Sequence, residues 1–161
     1  MKTISAGEIQ FAYARRYFQE FVSSRPGVAE VLKKVKTPAL VVDLEGVRSK
    51  YVQIRYHLPE VNVYYAVKAN DHIDILRALA DMGSGFEVAS IAELEKVLSL
   101  GVPPERVISS NPVKPEEFID FAYRSGVRRF AVDSFAEVEK ISRVAPQVQG
   151  LRQDKRAERG K

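Results

Sequence analysis

Apolar positions along the chain follow two alternating rhythms, one helical and one of short unbroken runs. Phe11, Ala14, Phe18 and Phe21 recur at helical spacing through residues 8–22, with Arg15, Arg16 and Glu20 elsewhere on the wheel, so an amphipathic helix is predicted there. Ser23-Ser24-Arg25-Pro26-Gly27 ends it, and Val28, Val31, Leu32 and Val35 predict a shorter helix beyond. The aromatic stripe reads as packing surface. Thr37-Pro38 then opens Ala39–Val42, a predicted short strand bounded by Asp43. A helical stripe of Leu44, Val47, Tyr51, Ile54 and Leu58 follows and closes at Pro59.

From Val61 the pattern becomes regular. A strand over 63–68 precedes a helix over about 71–82, with Ile73, Leu76 and Leu79 inward and Gly83 as its stop. A strand over 85–89 runs into Ser90-Ile91-Ala92-Glu93, a capping-box pattern that opens a helix with Leu94, Val97 and Leu98, closed by Gly101. A strand over 106–110 leads to a helix near Pro115 carrying Phe118, Ile119 and Ala122 and closing at Gly126. The last strand, 129–132, enters a second capping-box pattern, Ser134-Phe135-Ala136-Glu137, whose helix carries Val138 and Ile141 and fades at Pro146. Four consecutive strand–helix units predict parallel βα architecture. A closed barrel has about eight such units, so the expected fold is α/β, a partial (β/α)8 TIM-type barrel with an open edge beyond strand 129–132. The expected domains are an N-terminal helical extension (1–36), the partial barrel (37–146) and a basic, disordered tail without a fifth strand (147–161).

Charge narrows the function only slightly. The chain carries 25 basic and 21 acidic residues, a net +4. Five basic and two acidic residues fall in 147–161, so the body before it is nearly neutral and no polyanion-binding face is expected. Nucleic acid and membrane are therefore not expected partners. The sequence has no cysteine, which excludes disulfides and thiolate metal sites. With no signal-peptide pattern at Met1–Glu8 and no membrane-length apolar run, a cytoplasmic location is expected.

Chemistry concentrates where Val63-Tyr64-Tyr65-Ala66-Val67 runs into Lys68, before Asn70-Asp71 breaks the run. An unbroken apolar run reads as a strand covered on both faces, and parallel sheets place their chemistry at the C-terminal strand ends. A partly desolvated lysine there is available as a nucleophile or Schiff-base former. A strand-end lysine whose stem packs while its ammonium reaches water explains the same residue without function.

Four segments in order carry a family resemblance: Tyr64-Tyr65-Ala66-Val67-Lys68-Ala69-Asn70, Gly83-Ser84-Gly85-Phe86-Glu87-Val88-Ala89-Ser90 with Glu93, Ser110-Asn111-Pro112-Val113-Lys114-Pro115, and Phe130-Ala131-Val132-Asp133-Ser134. Over roughly 37–146 the chain resembles ornithine decarboxylase, within the alanine-racemase-fold, pyridoxal-phosphate-dependent decarboxylases that also act on diaminopimelate, lysine and arginine. The resemblance implies pyridoxal 5'-phosphate as cofactor, linked through Lys68, and decarboxylation of a small basic amino acid, L-ornithine to putrescine in polyamine biosynthesis, by a homodimer. It places an acidic residue near the cofactor lysine at Glu87. Many ornithine decarboxylases have aspartate there, and a paired or solvated strand carboxylate is the alternative.

Glu93 matches a family glutamate near the active site and dimer region, but a capping-box partner for Ser90 accounts for it. Asn111 and Asp133 end strands on the catalytic face, with helix capping as the alternative. His57 and His72 lack a second ligand at metal spacing, so no metal is expected. Relatives also carry, after the fourth unit, an arginine close to the cofactor, a histidine stacked on its ring, a glycine-rich phosphate loop and a glutamate for the pyridinium nitrogen. Their C-terminal β domain completes the site across a dimer. None of these is read here, and similarity is expected to stop at Pro146. A truncated, non-catalytic decarboxylase-like fragment or interaction module is therefore the alternative function.

Overall fold

Helix stops written into the sequence define the βα units of the structure, a computed structural model that describes residues 6–36, 38–146 and 148–152. Gly83, Gly101 and Gly126 each adopt positive φ (86°, 77° and 95°) just beyond a helix, the left-handed turn that glycine enters without steric cost. The chain divides into two compact units, Met1–Asp43 and Leu44–Lys161.

In the first unit, α1 (Ala6–Ser23) and α2 (Pro26–Leu32) form the two predicted helices. Pro26 opens α2, where its missing N–H costs nothing. Arg25 joins the turn together, stacking on the Phe21 ring at 4.5 Å and pairing with Asp43. The predicted strand Ala39–Val42 does not form. Its residues lie in irregular backbone, and Leu40 is 80% exposed. Valine and leucine supply strand propensity, but a strand exists only where a neighbour completes its ladder.

In the second unit, α3 (Leu44–His57) precedes β1 (Tyr64–Ala66), α4 (Ile73–Asp81), β2 (Gly85–Glu87), α5 (Ile91–Leu98), β3 (Val107–Ile108), α6 (Glu116–Arg124), β4 (Arg129–Val132), α7 (Phe135–Val144) and β5 (Gln149–Arg152). The strands are parallel in the orders β1-β2-β3 and β4-β5, and a single bridge, Ser109 to Phe130, links the two groups. This is the open parallel sheet of an incomplete (β/α)8-type barrel. Its core lies between sheet and helices, where Phe86, Val88, Val107 and Phe130 meet Leu76, Leu94, Val97 and Ile119, all fully buried. Leu44, Val47 and Tyr51 of α3 pack on that core, whereas Ile54 and Leu58 of the same predicted stripe are exposed. On α4, Ile75 is buried and the predicted inward Ile73 only half-buried; on α7, Val138 is exposed.

Two expectations fail at the C-terminal side. Residues from Gln147 onward were expected to hold no strand, yet Gln149–Arg152 forms β5, in register from Arg129↔Gln149 to Val132↔Arg152. The edge of β4 is consequently covered, not open. The bonds that recruit β5 come from the main chain, so a polar sequence joins the ladder as readily as an apolar one. The rest of the predicted tail, 153–161, lies outside the described residues. No helix among the described residues is long and apolar enough to cross a membrane.

Candidate active site

β1 stops at Ala66, two residues earlier than its apolar run predicts, and Val67–Ala69 turns in a single 3-10 turn that carries Lys68. Three local contacts shape this turn. Val67 is fully buried and anchors it. The Tyr65 hydroxyl donates to the Asn70 carbonyl at 2.9 Å, and the Asn70 side-chain oxygen accepts from the His72 N–H at 3.0 Å. Burial raises the Tyr65 phenol above its ordinary range, against the lowering effect of its Asn70 hydrogen bond, so it remains a donor at neutral pH. Lys68 therefore stands just past the strand it was assigned to, still at the C-terminal end of the sheet.

Glu87 is the last residue of β2 and lies opposite Ala66 in register. That register carries its carboxylate to Lys68: Oε1 lies 3.5 Å from Nζ. The partners differ in exposure, 57% for the lysine side chain and 11% for the glutamate. At this distance the contact is an ion pair at the long limit of hydrogen bonding, so the amine is held without being closed off. An accessible amine beside a nearly buried carboxylate suits covalent linkage to a carbonyl compound, with the carboxylate balancing charge on the nitrogen. These groups fit an aldehyde cofactor attached through Lys68.

The other predicted residues fall out differently. Glu93 closes the predicted capping box: its N–H donates to Ser90 Oγ at 3.3 Å, and its carboxylate accepts from the Ala89 N–H at 2.7 Å. Asn111 and Asp133 follow β3 and β4 at the same end of the sheet as Lys68, both half-buried. Neither caps a helix, because Pro115 and Ser134 occupy those positions. His72 caps α4 through Nδ1, and His57 ends α3 with its ring edge-on to Tyr56. Among the described residues no three His, Cys, Asp or Glu side chains converge as a metal site would need.

Several residues at this end escaped the sequence reading. Lys96 of α5 bonds the Asp71 carbonyl and pairs with its carboxylate, tying the loop after Lys68 to the next helix. Lys114 and Glu137 form a buried pair behind the loop that follows β3. The sequence signal for Lys114 was its setting between prolines in a segment already singled out.

Comparison with known proteins gives the family. Residues 44–157 match the pyridoxal-dependent decarboxylase, pyridoxal binding domain family, so the similarity continues beyond Pro146, where the sequence reading ended it. A lysine/ornithine decarboxylase of Selenomonas ruminantium is 39% identical over 128 residues, covering 80% of this chain and 33% of that protein. A chloroplastic ornithine decarboxylase of Nicotiana glutinosa is 41% identical over 133 residues, covering 83% and 30%. The solved structure of SrLDC with pyridoxal phosphate and cadaverine superposes with a TM-score of 0.73 at 34% identity, covering 95% of this chain and 36% of that one. The chain thus spans about a third of the length of the relatives it matches. Pyridoxal phosphate is the cofactor of this fold, and the chain belongs to the family of pyridoxal-dependent decarboxylases, as a pyridoxal-binding domain.

Proposed function

We propose that the protein acts in the decarboxylation of a basic amino acid, L-ornithine to putrescine foremost, in the cytoplasm and as a homodimer. The observation that carries the proposal is the position of Lys68: an accessible amine at the C-terminal end of the sheet, 3.5 Å from Glu87. In this reading Lys68 would hold pyridoxal phosphate through its amine. Glu87, 3.5 Å away, would orient the Lys68 nitrogen and balance positive charge there. Bound pyridoxal phosphate supplies an electron sink for the pair left behind as carbon dioxide departs. Ornithine is favoured over lysine or arginine by the Ser110–Pro115 segment, which resembles the ornithine branch.

Titration with pyridoxal phosphate, borohydride reduction and peptide mapping test the first step. Labelling concentrated at Lys68 and abolished in Lys68→Ala is expected; uniform labelling of surface lysines would overturn the assignment. Carbon dioxide release measured in parallel from ornithine, lysine and arginine tests the decarboxylation and ranks the substrates.

A further inference from the structure

β3 and β4 part at the catalytic end of the sheet, and a buried lysine stands where their ladder stops. Two bonds join these strands just past the end of β3: Ser109 N–H to the Arg129 carbonyl at 3.0 Å, and Ala131 N–H to the Ser109 carbonyl at 2.7 Å. Continued in parallel register, the next rung would bring the Asn111 N–H to the Ala131 carbonyl. Lys114 Nζ takes that acceptor instead, donating to the Ala131 carbonyl at 2.7 Å. The same ammonium donates to the Asn111 carbonyl at 2.9 Å and lies 2.9 Å from Glu137 Oε1. Three good acceptors thus meet its three N–H bonds.

The surroundings are dry and closed. Lys114 is 2% exposed and Glu137 3%. Glu137 also accepts from the Lys114 backbone N–H at 3.1 Å and pairs with Lys140 at 2.7 Å; Lys140 in turn donates to the Lys114 carbonyl at 2.6 Å. The carboxylate has been drawn away from the capping box that its sequence position predicts. Ser134 Oγ still accepts from the Glu137 N–H at 3.3 Å, but the carboxylate of Glu137 reaches Lys114. A buried ion pair adds little stability over well-packed apolar residues of the same size, because desolvation offsets the attraction. Its effect here is geometric: it decides where the loop after β3 sits.

We propose that Lys114, held by Glu137, is a positioning residue of the mouth. It stands in for the absent rung, keeps the C-terminal ends of β3 and β4 apart, and fixes the Ser110–Val113 loop as a wall of the opening that carries Lys68. This role rests on the reading of that opening as the cofactor site.

The test uses the full chain with Lys114→Met/Glu137→Met, which removes both charges together and leaves neither buried alone. Hydrogen exchange at the Ser109 and Ala131 amides, the two surviving rungs, is read beside covalent capture of pyridoxal phosphate at Lys68. Exchange at the two rungs should rise about 10- to 100-fold, the effect of losing a charge-assisted hydrogen bond, while the amides of α4 and α5 keep their protection. If the loop then occupies its working position about a tenth of the time, half-capture needs about tenfold more cofactor. Unchanged exchange, or faster exchange with unchanged capture, would overturn the positioning role. Should the double variant fail to fold, Glu137→Gln, which keeps the side-chain shape, is measured in the same way. No capture by the unsubstituted chain would refute the cofactor site itself, and that failure shows before any variant is made.

Discussion

Gly85 opens β2 directly opposite Tyr64, and the space for a side chain there is already filled. A methyl group at position 85 would lie 2.5 Å from Tyr64 Cε1, closer still to Cδ1, and 3.0 Å from the Arg106 carbonyl oxygen. The tyrosine ring is not free to swing aside. Its hydroxyl accepts from Arg129 of β4, whose guanidinium also lies over the ring, 5.2 Å from the centroid. Gly85→Ala therefore overpacks the first layer of the sheet. Overpacking costs about 1–3 kcal/mol, while the alanine lowers the entropy of the unfolded chain by the equivalent of about 0.4–1 kcal/mol, so a net loss of about 1–2 kcal/mol is expected. For a chain of this size that lowers the thermal midpoint by roughly 2–8 °C. Urea and thermal unfolding of Gly85→Ala, Tyr64→Ala and the double variant would measure it. With the ring gone only the tight contact with the Arg106 carbonyl remains, so the alanine at 85 should cost less than in the wild type, the difference being the coupling energy. An equal penalty in both backgrounds would refute the steric argument.

Two further outcomes follow from the charged contacts. Burial opposes ionisation of Glu137, but hydrogen bonds from Lys140 and Lys114 and their positive charges override it and hold the carboxyl below its usual range. Its contribution is present above the unfolded carboxylate pKa, about 4.5, and is lost as pH falls through the lower folded value. Urea unfolding across that acidic window should show stability falling with pH in the wild type and a shallower slope in Glu137→Gln; equal slopes would count against the assignment. At the exposed end, the hydrogen bond and charge of Lys96 lower the Asp71 carboxyl. Lys96→Met should return Asp71 to ordinary titration in carbon-detected NMR, and an unmoved titration would mean that Lys96 does not hold it.

Side-chain periodicity made the βα units legible, because Leu76, Leu79, Leu94, Val97, Phe118 and Ile119 bury the face their spacing predicts. The failures are a matched pair. Ala39–Val42 has the composition of a strand and makes no ladder; Gln149–Arg152 lacks it and pairs along four residues of β4. Both outcomes are decided by which backbone lies alongside, a fact of tertiary structure that local composition does not encode. The early end of β1 has a similar cause. The Tyr65 hydroxyl reaches forward to the Asn70 carbonyl and closes the turn across Lys68, a bond the apolar run gives no reason to expect.

Glu93 and Glu137 show why one contact at this end of the sheet could be read and another could not. Both stand three residues after a serine at a helix start, the same local pattern with the same predicted cap. The Glu93 carboxylate folds back to accept from the Ala89 N–H. Glu137 meets Lys114, which arrives from 23 residues earlier in the chain, and its carboxylate takes both the ammonium and the backbone N–H of that residue. Lys68 and Glu87 were legible because each sits at or just beyond the end of its own strand, and parallel strands bring their ends together. Lys114 reaches the same end of the sheet only through the turn at Pro112 and its contact with β4. A residue placed by strand order can be read from sequence; one placed by a long-range charge pair becomes visible only when both partners are seen in space.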